Sequence, residues 1–124
     1  MAATYHSVLS PLATFELADT AVTNTAVTNA SGSSGDLTVF YIEIDNTANT
    51  ATSYLKMARS ASATPSSTSP DTIMSVPGST KQYFCFATGL DQDYLTYWAT
   101  STAANGTSQT APSTAIGIRI LFKH

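Results

Sequence analysis

The stretch LTVFYIEIDNTANTATSYLKMAR, residues 37–59, contains two strand patterns joined by a polar connection. In its first part, Phe40, Ile42 and Ile44 alternate with more polar neighbours, a period of two that is typical of a half-buried β-strand. Residues 46–52 contain only Asn, Thr and Ala and predict a connection. Leu55 and Met57 then share one face of a second strand, so the stretch indicates an all-β fold.

The rest of the chain repeats this alternation of short strands and polar turns. Further strands are predicted at residues 71–76, 80–87, 94–101 and 116–123. The last strand is the most regular, because its isoleucines and Phe122 all fall on one face. Because no helical period is present, the series predicts a single all-β domain over residues 1–124. We expect an antiparallel β-sandwich of the jelly-roll or Greek-key type.

Three connections and one strand lead to specific expectations. Residues 60–70 and 102–113 are rich in small polar residues and predict surface loops, and residues 88–93 predict a turn around Gly89. In residues 80–87, aromatic side chains occur on both faces, which predicts a strand that is buried on both sides. Cys85 in that strand is then expected to be a small buried hydrophobic residue.

The N-terminal part of the chain leaves alternatives open. We expect residues 1–20 to form an extended arm or an edge strand. Ala-Val-Thr-Asn occurs at residues 21–24 and again at 26–29, an odd offset that would place Val22 and Val27 on opposite sides of a straight strand. The strand then carries a bulge, or another subunit covers it, or the repeat is a coincidence of composition.

Composition excludes several classes of function. Charged residues make up only 10% of the 124 residues and the net charge is −3, with five scattered Lys and Arg residues that could not follow a nucleic acid backbone. The single cysteine excludes an internal disulfide, and neither a signal peptide nor a membrane-spanning run is present. We therefore expect synthesis in the cytoplasm, no membrane partner, and a weakly charged surface suited to contacts with other proteins.

The polar residues do not predict a catalytic centre, a cofactor or a metal site. His6 and His124 stand apart from any motif for nucleophilic or acid–base chemistry. Asp91 and Asp93 could supply part of a Ca²⁺ shell, but an exposed turn is the favoured interpretation. Glu43 is expected to face solvent or to pair across strands with Lys56.

Aromatic residues offer one candidate binding surface. Tyr83, Tyr94, Tyr97 and Trp98 could form a platform that stacks on sugars. At strand spacing, however, such residues are more often part of a core or of a subunit interface, which is the interpretation that we favour.

Several short motifs resemble those of small β-sandwich structural proteins of tailed bacteriophages, cyanophages among them. The motifs are Ile44-Asp45-Asn46-Thr47-Ala48, Tyr54-Leu55-Lys56, Pro70-Asp71, Val76-Pro77-Gly78, Thr88-Gly89-Leu90, Ala99-Thr100 and Ala111-Pro112. Their order and spacing carry the resemblance, which covers about residues 37–122. The first 36 residues, the Asp-Gln-Asp segment and the Tyr-Leu-Thr-Tyr-Trp segment fall outside its pattern.

The resemblance implies a non-enzymatic virion protein without a cofactor. The implied role is a capsid decoration, or cement, protein that binds major capsid protein subunits on the capsid exterior, usually as a homo-oligomer and often as a trimer. The alternative is a tail-fibre or head-fibre module that recognises host glycan. The residues predicted to make interface contacts are Thr4, Tyr5, His6, Val8, Val22, Val27, Tyr94 and Trp98.

Overall fold

The computed structural model describes residues 3–7, 15–32, 35–103 and 109–124, which contain strands and no helix. The strands are β1 (Ala3–Ser7), β2 (Phe15–Val22), β3 (Leu37–Asp45), β4 (Ser53–Ala58), β5 (Thr72–Val76), β6 (Lys81–Gln92), β7 (Thr96–Thr100) and β8 (Ile116–Lys123). They form two antiparallel sheets, with strand orders β1-β2-β8-β3-β6 and β5-β4-β7. The predicted all-β sandwich is therefore confirmed.

Residues 23–30 extend the smaller sheet by running antiparallel beside β7. Val27 and Tyr97 exchange two backbone hydrogen bonds with N–O distances of 2.9 and 3.0 Å, and the Ala30 amide donates to the Leu95 carbonyl at 2.7 Å. With this segment, one sheet contains β2-β8-β3-β6 and the other contains residues 23–30, β7, β4 and β5. This is the arrangement of a jelly roll, to which β1 adds an edge strand.

The core lies between the two sheets because alternation places one side of each strand inward. From the larger sheet, it contains Leu17, Val22, Val39, Ile42, Ile44, Ile116, Ile118, Ile120 and Phe122. From the smaller sheet, it contains Leu55, Met57, Met74, Val76, Tyr97 and Ala99. Full burial of each large apolar side chain is worth roughly 1.5–3 kcal/mol, so this layer is the main source of stability.

The N-terminal alternatives are resolved for the described residues. β1 is an edge strand whose backbone pairs with β2, as in the register Thr4 to Ala18. β2 itself lies inside the sheet between β1 and β8. The two copies of the repeat do not share one strand, because β2 ends at Val22 and Val27 pairs with β7 of the smaller sheet. The pairing of β2 with β8 does shift, but between Asp19 and Val22 and not between the two valines. Val22 is fully buried after this shift, and Val27 packs against the same core from residues 23–30.

The predicted turn at residues 88–93 is wrong, because β6 continues to Gln92. Gly89 adopts a φ of +87° within the strand, opposite an irregularity of β3 between Val39 and Tyr41. A Cβ atom at Gly89 would lie 2.2 Å from Cγ2 of Thr38, so glycine permits both the left-handed backbone and the close approach. The glycine therefore marks an irregular strand and not its end.

The expectation that β6 is buried on both sides is also wrong. β6 is the last strand of the larger sheet, and no layer of described residues covers its outer face. Tyr83 is 57% exposed, and Cys85 is exposed instead of buried. Phe84 and Phe86 alternate with them and pack against the core.

One buried carboxamide joins two chain connections at one end of the sandwich. Asn46 follows β3 and is fully buried. Its Nδ2 donates to the carbonyl oxygens of Ala51 at 3.0 Å, Val76 at 2.9 Å and Pro77 at 3.2 Å. Its Oδ1 accepts from Ser53 Oγ at 2.8 Å. The connection between β3 and β4 is thereby bonded to the turn between β5 and β6.

Asn49 extends this cluster to the segment that precedes β8. Asn49 Nδ2 donates to Asn46 Oδ1 and to the Thr114 carbonyl, both at 2.8 Å. In return, the Thr114 amide donates to Asn49 Oδ1 at 2.7 Å. Gly78 completes the close packing, because a Cβ atom there would lie 2.1 Å from the Thr50 carbonyl oxygen. We name Asn46, Asn49 and Ser53 the amide cluster.

We predict that Asn46→Ala destabilises the protein by about 3 kcal/mol or more. The substitution leaves several buried donors and acceptors without partners, each of which costs about 1–3 kcal/mol. Urea unfolding measures the change. Thr50→Ala, at an exposed position of the same connection, is the control and should cost less than about 1 kcal/mol. Equal losses for the two variants would contradict the role of the amide cluster.

Hydrogen bonds at the end of β3 should make the stability of the protein depend on pH. Asp45 Oδ1 accepts from the hydroxyl and the amide of Thr47 at 2.6 and 3.0 Å, and these hydrogen bonds lower the pKa of Asp45. Its stabilising effect is therefore present above the unfolded pKa of about 3.9 and is lost as the pH falls through the lower folded pKa. In urea unfolding, the stability difference between wild type and Asp45→Asn should shrink from neutral to strongly acidic pH. A constant difference would refute this linkage.

Candidate functional site on the outer face of the larger sheet

The strand register brings a set of distant side chains onto one surface. Residues that lie opposite each other in neighbouring strands share a face of the sheet. Glu43 lies opposite both Tyr83 and Arg119, and Tyr41 lies opposite both Cys85 and Leu121. We name this surface the tyrosine face, defined by Tyr41, Glu43, Tyr83, Cys85, Arg119 and Leu121. It points away from the smaller sheet, since the inward residues of the same strands form the core.

Two tyrosine rings form the centre of the tyrosine face. The rings of Tyr41 and Tyr83 are tilted by 36°, with centroids 6.1 Å apart. The Tyr41 hydroxyl donates to Glu43 Oε2 at 3.0 Å. Burial and this hydrogen bond to a carboxylate raise the pKa of Tyr41 to about 12, so the hydroxyl stays protonated at neutral pH. Tyr41 is thereby held in place beside the more exposed Tyr83.

The charged groups around these rings have partners on the same surface. Lys81 Nζ lies 3.4 Å from Glu43 Oε1 and 4.0 Å from Asp45 Oδ2. Its interaction with Glu43 raises the pKa of Lys81, so the ammonium remains charged. Arg119 Nε donates to Glu16 Oε2. The cations of the tyrosine face are therefore already neutralised by neighbouring carboxylates.

This arrangement is chemically suited to binding. Aromatic residues and arginine are enriched at protein interfaces, and unpaired charge is depleted from their centres. The tyrosine face combines the exposed Tyr83 ring and Cys85 thiol with the half-buried side chains of Tyr41 and Leu121. Its charged groups are paired. Sequence reasoning missed this surface because its residues come together only when β3 pairs with both β6 and β8. Alternation within each strand was the local signal, since it places two of these residues on one face of each of the three strands.

Of the eight residues predicted to make interface contacts, four lie near the N-terminus and a fifth lies just before β7. Thr4 is exposed, and its hydroxyl donates to the Ala18 carbonyl at 3.4 Å. Tyr5 and His6 belong to β1, whereas Val8 lies outside the described residues. Tyr94 is half-buried just before β7. The interface roles of these residues stay predictions.

Val22 and Trp98, by contrast, are fully buried within the sandwich and therefore present no surface for a partner. Val27 is half-buried. The sugar platform, the less favoured interpretation of these aromatic residues, is therefore excluded, and Tyr97 and Trp98 are buried as the favoured core interpretation expects. Tyr97 faces the core, Trp98 lies on the opposite side of β7, and Tyr83 belongs to the other sheet. Aromatic spacing in the sequence could not reveal that both sides of β7 are covered.

Trp98 and Lys56 are covered by the segment before β8. Trp98 Nε1 and Lys56 Nζ donate to Gln109 Oε1 at 3.2 and 3.3 Å. Lys56 is fully buried, which lowers its pKa because burial disfavours the charged form. The expected cross-strand pair of Glu43 and Lys56 is wrong, since β3 and β4 belong to different sheets.

The aspartates considered for Ca²⁺ instead contact a cationic side chain. An Arg59 guanidinium nitrogen lies 3.0 Å from Asp91 Oδ2 and 3.4 Å from Asp93 Oδ1. A guanidinium at this position disfavours a divalent cation by repulsion. Within the described residues, no group of three or more His, Cys, Asp or Glu side chains is placed to hold a metal ion.

A buried pair across the two sheets was also missed from the sequence. Asp19 in β2 is fully buried, and its Oδ2 accepts from the Tyr97 hydroxyl at 2.8 Å. Its Oδ1 accepts from the Ala21 amide at 2.9 Å. Burial and the bond to Asp19 raise the pKa of Tyr97. The available signal was the position of Asp19 on the same face of β2 as Phe15 and Leu17.

Comparisons with known proteins identify no relative. No protein family model, no curated protein and no solved structure matches the chain. No helix in the described part of the chain has the length and hydropathy needed to cross a membrane. Function is therefore inferred from the sequence resemblance and from the geometry of this chain.

We predict that Tyr97→Phe destabilises the protein by about 1.5–3 kcal/mol, because it removes a hydrogen bond to a buried carboxylate. Tyr54→Phe, at a half-buried position, serves as the control and should change stability by less than about 0.5 kcal/mol. Urea unfolding gives both values. A Tyr97→Phe variant as stable as the control would show that the bond between the sheets contributes little.

Proposed function

We propose that this protein is a non-enzymatic phage virion protein that decorates the capsid exterior. In this role it binds across major capsid protein subunits and stabilises the head. The observation that carries the proposal is the ordered set of motifs in residues 37–122 that resemble small structural proteins of tailed phages. Two of these motifs meet at the amide cluster, where Asn46 of the first donates to the carbonyl oxygens of Val76 and Pro77 of the other.

The physical mechanism of such a protein is interface burial repeated over many copies. A specific protein interface buries about 1,200–2,000 Å² in total. A decoration protein that touches two neighbouring subunits must lose part of this contact before the subunits separate, so each copy resists expansion of the shell. Multivalent attachment of a homo-oligomer, with a trimer favoured by the resemblance, would multiply a modest affinity.

Two properties of the chain support this role. Its charged fraction of 10% limits electrostatic repulsion when many copies lie close together on a shell. The larger sheet also turns the exposed ring of Tyr83 outward, beside the half-buried ring of Tyr41. The alternative of a glycan-binding fibre module has less support, because Tyr97 and Trp98 of its predicted platform are buried.

Gold-labelled antibody against the purified protein, applied to intact virions and viewed by electron microscopy, tests the proposal. We expect label over the whole head, because a decoration protein repeats with the symmetry of the shell. Virions treated with antibody that has been pre-absorbed with the protein are the control. Label confined to the tail or to fibres would instead support receptor binding, and the absence of label from every particle would refute both virion roles.

A further inference from the structure

We propose that the tyrosine face is the surface through which the protein docks on the capsid, and that the partner surface is uncharged. The partner would present apolar side chains together with neutral hydroxyl or amide groups. This inference rests on the proposed function, to which it adds the docking surface and the chemistry of the partner.

The chemistry of the partner follows from the charges that surround the rings. Lys81 is paired with Glu43 and Asp45, and Arg119 is paired with Glu16. A charged partner would have to displace one of these contacts and would leave its former partner uncompensated in the interface, which is costly. An uncharged partner covers the face without breaking any of them. Charge complementarity therefore selects a neutral surface.

The position of the contact follows from exposed apolar area. Among the described residues, the exposed large hydrophobic side chains are Tyr83, at 57%, and Ile73, at 40%. Tyr83 is the one with aromatic and thiol neighbours, because Tyr41 packs beside it and Cys85 follows on the same face. Ile73 lies on the other sheet, opposite Lys56. Tyrosines of this kind, supported by a second fixed ring, are typical of the residues that dominate binding energy.

A second copy of the chain is a less suitable occupant. Edge pairing through β6 is opposed by two features that natural sheets use to prevent it, namely Lys81 at the start of the strand and the irregularity around Gly89. The tyrosine face of a second copy would also bring charged side chains into the contact, whereas the partner surface proposed above is uncharged.

The thiol of Cys85 can report whether a partner covers the tyrosine face. Cys85 is the only cysteine, is exposed, and lies opposite Tyr41. A maleimide should label Cys85 in the free protein and should label it at least about tenfold more slowly once the protein is bound to capsids that lack it. Because the contact is not driven by charge, binding should change by less than about twofold between low salt and 1 M salt, where the Debye length is about 3 Å.

Two matched variants complete the test. Tyr83→Ala should weaken capsid binding by about tenfold or more, whereas Ile73→Ala, which removes an exposed apolar side chain from the other sheet, should change it by less than about twofold. Urea unfolding and the circular dichroism spectrum confirm that both variants are folded. Equal binding by the two variants would overturn the assignment of this face.

The outcomes separate this inference from the proposed function. Capsid binding that leaves Cys85 fully reactive would overturn the docking surface while decoration stands, and binding that falls steeply with salt would overturn the neutral partner. If wild-type protein binds no capsid, the proposed function fails as well. Protection of Cys85 by a concentration-dependent dimer, or saccharide binding that Tyr83→Ala abolishes, would instead identify a second copy or a glycan as the occupant.

Discussion

The hydrogen bonds of the buried Asn46 carboxamide hold together the chain connections at one end of the sandwich. One side chain holds the backbone of the turn after β5 and, through Asn49, the segment before β8. A buried polar cluster of this kind tolerates few alternatives, because every donor and acceptor that loses its partner remains desolvated. The amide cluster therefore restricts which loops can meet at this end of the sandwich, while the apolar core supplies most of the stability.

The tyrosine face exists because of the register in which β3 pairs with β6 and β8. β3 lies between β8 and β6, so that Tyr41 and Glu43 each face partners on both sides. A slip of one residue would reverse the two faces of the strand and would turn the isoleucines of the core toward solvent. The same burial that stabilises the sandwich thus also fixes the positions of the exposed tyrosines and their charged neighbours.

Several polar groups are buried within the sandwich and bonded to other parts of the chain. Asp19 bonds to Tyr97 between the sheets, and Lys56 and Trp98 share Gln109 beneath the segment before β8. These hydrogen bonds satisfy the polar groups within the sandwich. The outer face of β3, β6 and β8 instead carries the tyrosine rings and the paired charges. Such a surface is suited to contact with another macromolecule.

Alternation by itself determined the class of the fold and most of the strands, from the apolar residues of β3 to the isoleucines of β8. Alternation is informative because, in a sheet with one buried side, one face of each strand contacts the core and the other contacts solvent. The continuation of β6 through Gly89, the exposure of Cys85 and the burial of Lys56 and Trp98 were decided only by the tertiary structure. Each depends on which strand or loop lies next to it, and that neighbour comes from a distant part of the chain. Local alternation can indicate that two residues share a face, but only long-range pairing decides what, if anything, covers that face.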